Sequence, residues 1–289
     1  MIDTVAVPRP VTETGTFGLD GGPEVGSRPT EQCRSAAEPA SRQADVARKA
    51  NAVHYADPET TLQYIDDRYH AVRRQQAMRL LVEALCGPVP APGGPVLEVG
   101  TGARSMLDDL PAGWLAIDAD LSWGALRMHH RRRHPAACFD ATRPFPFIDG
   151  SMAAVLMGEL VEHVYYPEEM LREVHRVLRP GGILVLTTPN LATLPDRLCF
   201  LFGSAPRQVD PLHPHLSLHI RPFTVGSLRR LLDVVGFDLI AVRSNFVGVH
   251  LGSGRWLQSR TLAKLFPGLG GSLVVSARRR RPPAATTSG

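Results

Sequence analysis

The 289-residue sequence predicts an α/β fold, a parallel sheet covered by helices on both faces, and three observations carry that expectation. From Pro95 onward, short and almost continuously apolar strands alternate with amphipathic stretches. Strands of that texture are buried on both faces, which helical crossovers between parallel strands bring about. The strand Val96–Val99 runs straight into Gly100-Thr101-Gly102, where missing side chains let backbone amides approach a ligand at the start of the next helix. Polar residues, most of them acids, close the strands that follow.

Taken in order, residues 1–42 are rich in Gly and Pro with little apolar periodicity, so chain entropy should outweigh burial and leave a disordered tail. Residues 43–86 are expected to be mostly helical: Met78, Leu81, Val82 and Leu85 recur at helical spacing until Gly87-Pro88 stops the run. Strands are expected at 96–99, 114–117, 136–139, 153–157, 183–187, 237–242 and 273–276, with helices at 167–178 and 225–235 between them. One domain should therefore span 43–281, with a second loose tail at 282–289.

Composition narrows the function classes. Hydrophobic residues at 44% and charged residues at 21% describe a globular chain rather than a disordered or collagen-like one. No apolar run approaches the roughly 18 residues of a membrane span. Met1-Ile2-Asp3-Thr4 does not begin a secretory leader. Cys33, Cys86, Cys138 and Cys199 form no Cys-x-x-Cys pair, so a reduced, cytoplasmic protein is expected. The net charge of +4 invites a nucleic-acid reading, but Arg131–Arg133 and Arg278–Arg281 hold seven of the 32 basic residues, and neither a recognition motif nor an aromatic platform accompanies them. No nucleic-acid partner is expected.

The chemistry gathers at the strand ends. Trp114-Leu115-Ala116-Ile117-Asp118 puts a carboxylate at the end of the second strand, suited to accept two ribose hydroxyls. The third strand closes on Asp140-Ala141 and the fourth on Gly158-Glu159. Polar groups on three successive strands around one Gly-rich turn define a crevice at the carboxyl edge of the sheet, where ligands of such folds bind.

With these residues in place, the chain resembles class I S-adenosylmethionine-dependent methyltransferases. Glu98-Val99-Gly100-Thr101-Gly102 resembles the family's glycine motif, Asp118-Ala119 its ribose-binding position and Asp140-Ala141 its adenine-contacting position. Pro144–Ser151 resembles the approach to strand four, Arg179-Pro180-Gly181-Gly182 the turn into strand five, and Gly236-Phe237 with Leu273-Val274-Val275 the last two strands. The resemblance spans roughly 60–280 and implies a Rossmann-like, doubly wound, seven-stranded sheet, mostly parallel with an antiparallel last strand. It also implies S-adenosyl-L-methionine as cofactor, held by Glu98, Gly100, Thr101, Gly102, Asp118, Ala119, Asp140, Ala141 and Glu159. Arg104 departs from the pattern, standing where many members carry a third glycine.

Within the family, Glu159-Leu160-Val161-Glu162-His163 followed by Thr188-Pro189-Asn190 most resembles the branch with polyprenyl-hydroxyphenol (ubiquinone-pathway) O-methyltransferases. That branch links its Glu-x-x-Glu-His cluster to a divalent metal. Here His163 is read instead as the base that takes a proton from an acceptor hydroxyl, since imidazole titrates near neutrality, and no metal is assigned. His213, His215 and His219 fall in a lid insertion at about 191–224, read as a solvated or substrate-lining loop rather than a metal site, because a proline separates two of them. The patch 198–202 reads as lid core, an apolar acceptor pocket or a peripheral membrane contact. The expected function is methyl transfer to a small-molecule or lipid-like acceptor, most simply at a hydroxyl oxygen. The alternatives are a non-catalytic cofactor-binding scaffold and a nicotinamide-dependent oxidoreductase, the latter disfavoured for a 2′-phosphate cofactor by Asp118. A nucleic-acid methyltransferase is disfavoured by the lack of an Asn/Asp-Pro-Pro-aromatic motif after strand four.

Overall fold

Seven strands form one sheet in the order β3-β2-β1-β4-β5-β9-β6. In the computed structural model these are β1 (Val96–Val99), β2 (Ala116–Asp120), β3 (Ala136–Cys138), β4 (Met152–Gly158), β5 (Leu178–Pro189), β6 (Phe237–Ser244) and β9 (Ser272–Arg279). The first five pair in parallel, and β9 inserts antiparallel between β5 and β6. The expected Rossmann-like, mostly parallel sheet with an antiparallel last strand is thus found. The structure describes residues 42–47, 49–50, 68–128, 134–209, 219–251 and 255–281, all within a unit spanning Ala40–Gly289. The tails expected at 1–42 and 282–289 lie outside these residues, apart from residue 42. Of the helical stretch expected at 43–86, the described part is helical at 42–47, 49–50 and α1 (Arg68–Cys86).

Alternation along the strands divides the core between the two faces. Leu97, Val99, Val155, Met157, Leu184 and Leu186 face one cluster with Met170, Leu171 and Val174 of α3 (Pro167–Val177) and Leu228 and Leu232 of α5 (Val225–Val235). Their neighbours Val96, Ala154, Leu156, Ile183 and Val185 pack against Ala77, Leu81 and Leu85 of α1. The spacing of 170, 171, 174 and 177 gives α3 its buried stripe, and Pro167 opens the helix with a preset φ. Thr224 and Ser227 close a capping box on α5, and Gly236 ends the helix at a φ of 99°.

The main departures from the sequence expectation are at β2, at β5 and between β6 and β9. Strand β2 ends at Asp120 rather than at 117, because the ladder with β3 pairs Asp118, Ala119 and Asp120 with Ala136, Ala137 and Cys138. Strand β5 starts at Leu178, and the expected turn 179–182 is a bulge within it: Met152 pairs with Leu178, but Ala154 next pairs with Ile183. Between β6 and β9 the chain makes an excursion that periodicity did not reveal, a separate hairpin of β7 (Val247–Leu251) and β8 (Arg255–Ser259) followed by α6 (Arg260–Leu265). The lid contains a further helix, α4 (Leu194–Leu201), capped by Thr193, whose side chain accepts from the Asp196 amide. The remaining helix, α2 (Trp123–Met128), follows β2.

The arginine run at the end of β9 is structural. Arg278 donates to Gly181 O (3.0 Å) and Val89 O (2.7 Å), stitching the β5 bulge to the loop after α1. Arg279 donates to the carbonyls of Arg176 and Leu178 at the end of α3, and Arg280 pairs with Asp238 (2.7 Å) and Asp233. Substituting Thr224 by Ala should cost about 1 kcal/mol through loss of the α5 cap. In a domain of this size that lowers the thermal midpoint by roughly 2–4 °C, measurable by scanning calorimetry.

Candidate active site

Strand order reverses at β1, which pairs with β2 on one side and β4 on the other. Loops leaving the carboxyl ends of β1 and β4 therefore diverge and open a crevice between them. The turn after β1 enters it with two left-handed glycines, Gly100 at φ 79° and Gly102 at φ 59°. Gly100 N and Thr101 N both bond Ala119 O (2.8 and 3.2 Å), which ties the turn to β2.

Under the turn lies a buried polar network. Glu98, almost fully buried on β1, accepts from Met106 N (2.8 Å) and Leu107 N (3.4 Å), fixing the backbone that leaves the turn. Ser105 Oγ lies 2.8 Å from both Glu98 Oε2 and Asp118 Oδ1. A hydroxyl has one proton, so it donates to one carboxylate at a time, while its oxygen accepts from Leu107 N (3.0 Å). Burial first of all, with the Asp118 charge adding, pushes the Glu98 pKa up to about 7. Arg74 of α1 holds the same turn from outside, donating to Arg104 O (3.3 Å) and Ser105 O (3.1 Å). The side chain of Arg104, the departure from the glycine pattern, is exposed.

Asp118, expected at the end of β2, sits two residues inside the strand, buried and engaged with Ser105. The acid at the strand end is Asp120. Its Oδ2 accepts from Gly102 N (2.9 Å) and its Oδ1 from Ser122 N (2.7 Å). The sequence reading stopped one alternation short, taking the first acid after an apolar run for the end of the strand. Asp140, with Ala141 beside it, is in the turn after β3, partly exposed, and accepts from Thr142 N (2.9 Å) and Oγ1 (2.7 Å).

On the β4 side, Glu159 has a positive φ of 50°, a backbone state uncommon outside glycine. Its amide bonds Thr187 O (3.0 Å), and its carboxylate takes Thr187 Oγ1 (2.9 Å) and Arg73 (2.8 Å). Arg73 reaches in from α1, buried and also 2.8 Å from His70 Nδ1. Nothing in a helical arginine marks it as a partner of a residue 86 positions on, and sequence reasoning missed it.

The Glu-x-x-Glu-His set does not converge as one cluster. Glu159 turns to Arg73, whereas Glu162, His163 and His219 come together with ligand atoms within 4.8 Å of one another. The Glu162 carboxylate is buried and makes no hydrogen bond among the described residues; burial, then Glu159, drive its pKa well above the usual range. His163 Nε2 is 4.0 Å from Glu162 Oε1, and its ring meets His219 edge to face at 4.8 Å. The lid returns here because Arg221 N bonds Glu162 O (3.1 Å) and Arg221 Nε bonds Tyr165 O (3.1 Å). Of the three lid histidines, His219 thus lines the site, while His213 and His215 lie outside the described residues.

Residues 97–186 match the protein family described as a methyltransferase domain. A protein of Mycolicibacterium smegmatis, named a probable S-adenosylmethionine-dependent methyltransferase, is 29% identical over 189 residues, 63% of this chain and 62% of that protein. The demethylmenaquinone methyltransferase of Mycolicibacterium paratuberculosis is 33% identical over 154 residues, 51% of this chain and 62% of its own length. The chain thus spans less than two thirds of either relative. Among solved structures, a SAM-dependent methyltransferase from Thermotoga maritima superposes with a TM-score of 0.52 at 19% identity, covering 77% of this chain and 97% of that one. The resemblance to class I S-adenosylmethionine-dependent methyltransferases holds in sequence and in fold, and it implies S-adenosyl-L-methionine as the cofactor.

The raised pKa of Glu98 has a pH signature. An acid whose folded pKa is raised holds a proton that the unfolded chain releases, so its contribution to stability falls as pH rises from about 4.5 to about 7. Glu98→Gln should remove that part of the slope. Thermal midpoints of wild type and variant between pH 5 and 8 should converge at the acid end and separate toward pH 8, with the variant relatively gaining; parallel curves would refute the assignment.

Proposed function

We propose that the chain transfers a methyl group from S-adenosyl-L-methionine to a small-molecule or lipid-like acceptor, at a hydroxyl oxygen. What supports this most is the donor set around the crevice: a left-handed glycine turn bonded to the strand-end carboxylate Asp120, with a histidine and a buried acid across from it.

These residues fit the cofactor. Gly100, Thr101 and Gly102 offer backbone without bulk, and Glu98 orders the turn through the Met106 and Leu107 amides. Asp120 takes the ribose role expected of Asp118, because a carboxylate at the strand end offers two oxygens to neighbouring hydroxyls whereas Asp118 is committed beneath. Ala119 backs the turn through its carbonyl, and Asp140 with Ala141 takes the adenine side. Glu159, paired with Arg73, shapes the wall between cofactor and acceptor. When bound, the cofactor supplies a methyl group on a sulfonium.

Displacement at that methyl requires alignment and exclusion of water rather than covalent help from the protein. His163 accepts the proton of the acceptor hydroxyl. The buried Glu162 carboxylate lies 4.0 Å from the imidazole, and His219 closes the lid side of the same pocket. A lipid-like acceptor accords with the demethylmenaquinone for which the mycobacterial relative is named.

Calorimetric titration with S-adenosylmethionine and S-adenosylhomocysteine tests the cofactor assignment. Asp120→Ala should weaken binding about tenfold or more, the scale of a lost charge-assisted hydrogen-bond pair. Asp118→Ala should chiefly lower thermal stability. His163→Ala should retain cofactor affinity and lower turnover by roughly 10²–10⁴-fold on a hydroquinone acceptor. Binding without turnover on any acceptor would favour the scaffold alternative, and absence of binding would reduce the resemblance to one of fold.

A further inference from the structure

The outer face of the lid and of the β7–β8–α6 excursion has a composition that a water-facing surface rarely carries. The end of α4 projects Phe200, Leu201 and Phe202 at 71%, 75% and 82% exposure. In the neighbouring excursion, Leu257, Leu265 and Phe266 are each more than half exposed, and α6 buries only Ala263. The two parts belong to one surface. Helix α4 packs on β7, which packs on α6. Asn190 Nδ2 bonds Gly268 O (3.0 Å) and Gly270 O (2.8 Å), and Arg197 Nη2 bonds Gly268 O (3.3 Å), lacing the root of α4 to the turn after α6. Contiguous exposed apolar groups of this size mark interaction surfaces.

The charges beside them identify the partner. Exposed Arg197 and Arg207 flank the apolar end of α4, Arg207 lying 3.9 Å from the buried Asp196, and exposed Arg260 and Lys264 lie on α6. No Asp or Glu occurs at 197–209 or 239–277. A second copy docked face to face would set these cations against their own counterparts. An anionic lipid surface satisfies both features at once, with aromatic and leucine side chains entering the acyl boundary and the cations at the headgroups. We infer that α4 and α6 form a peripheral docking face for anionic membranes. Docking requires neither cofactor nor acceptor and so does not rest on the methyl-transfer reading.

The test is co-sedimentation of the full chain with vesicles of phosphatidylcholine, with and without phosphatidylglycerol. The chain should partition onto the phosphatidylglycerol vesicles and be released by added salt. Phe200→Ser with Phe202→Ser should lower the partition coefficient about tenfold or more, since two exposed aromatics lose their burial in lipid, without lowering the thermal midpoint. Arg260→Gln with Lys264→Gln should also lower it about tenfold and flatten the salt dependence, two surface cations being removed. The inference is overturned by no partitioning, by equal partitioning onto pure phosphatidylcholine, or by variants that leave partitioning unchanged. It is also overturned if sedimentation velocity finds a dimer that the phenylalanine variant dissociates, or if that variant lowers the thermal midpoint, which would mean the patch is covered within the chain.

Discussion

Because β1 pairs in parallel with β2 on one flank and β4 on the other, three chain segments carrying the candidate chemistry must leave the sheet on the same edge. The register sets which residues meet: Glu98 lies opposite Asp118, and Val99 opposite Ala119 and Met157. A shift of one residue would turn Glu98 and Asp118 to the other face and put apolar side chains beneath the glycine turn. Burial of Leu97 and Val99 in one cluster and Val96 in the other leaves no room for such a shift. Hydrophobic alternation thereby holds the polar site in place, although none of the apolar residues takes part in its chemistry.

The polar groups drawn beneath this edge are costly, and the structure satisfies them unequally. Glu98 and Asp118 share the Ser105 hydroxyl, and burial, with the Asp118 charge adding, raises the Glu98 pKa to about 7. Glu159 is neutralised by Arg73, a pair whose separation would leave a charge stranded in a nearly dry setting. Glu162 stands apart, with no hydrogen bond to either oxygen among the described residues. Such a group is tolerated where the fold is well supported around it and where it has a task to perform. Its neighbours are the histidine proposed as base and the histidine that the lid contributes.

How much of this was legible in the sequence follows from what each feature depends on. Strand and helix positions rest on local periodicity, so Val96–Val99 and Val225–Val235 could be read to the residue. The end of β2 could not, because Asp118 and Asp120 alternate with alanine and resemble a turn until the β3 ladder is seen. The partnership of Arg73 with Glu159 depends on how α1 crosses the sheet, which no spacing encodes. The lid is intermediate: its histidine-rich loop could be read as solvated or substrate-lining, but that His219 meets His163 depends on the backbone bond from Arg221 to Glu162. The hairpin β7–β8 escaped because neither of its strands lies in the main sheet, so it adds no step to the alternation of strand and helix.

The distribution of positive charge brings these strands of argument together. An excess of four cations over the whole chain says little about partners, since many of the arginines have structural tasks. Arg278, Arg279 and Arg280 are engaged with carbonyls and acids at helix and bulge ends, Arg243 with Glu83, and Arg176 with Glu173 and Asp149. Subtracting them removes the run that made the sequence look suited to nucleic acid. Among the described residues, what then stands out is a smaller set, Arg197 on α4 with Arg260 and Lys264 on α6, set among exposed phenylalanines and leucines. Nucleic-acid surfaces pair cations with hydrogen-bonding and stacking groups along a groove, whereas cations around protruding aliphatic and aromatic side chains match a headgroup layer with hydrocarbon below it. Both segments attach at the sheet edge on which the crevice opens, α4 following β5 and α6 preceding β9, where Pro189 pairs with Ser272.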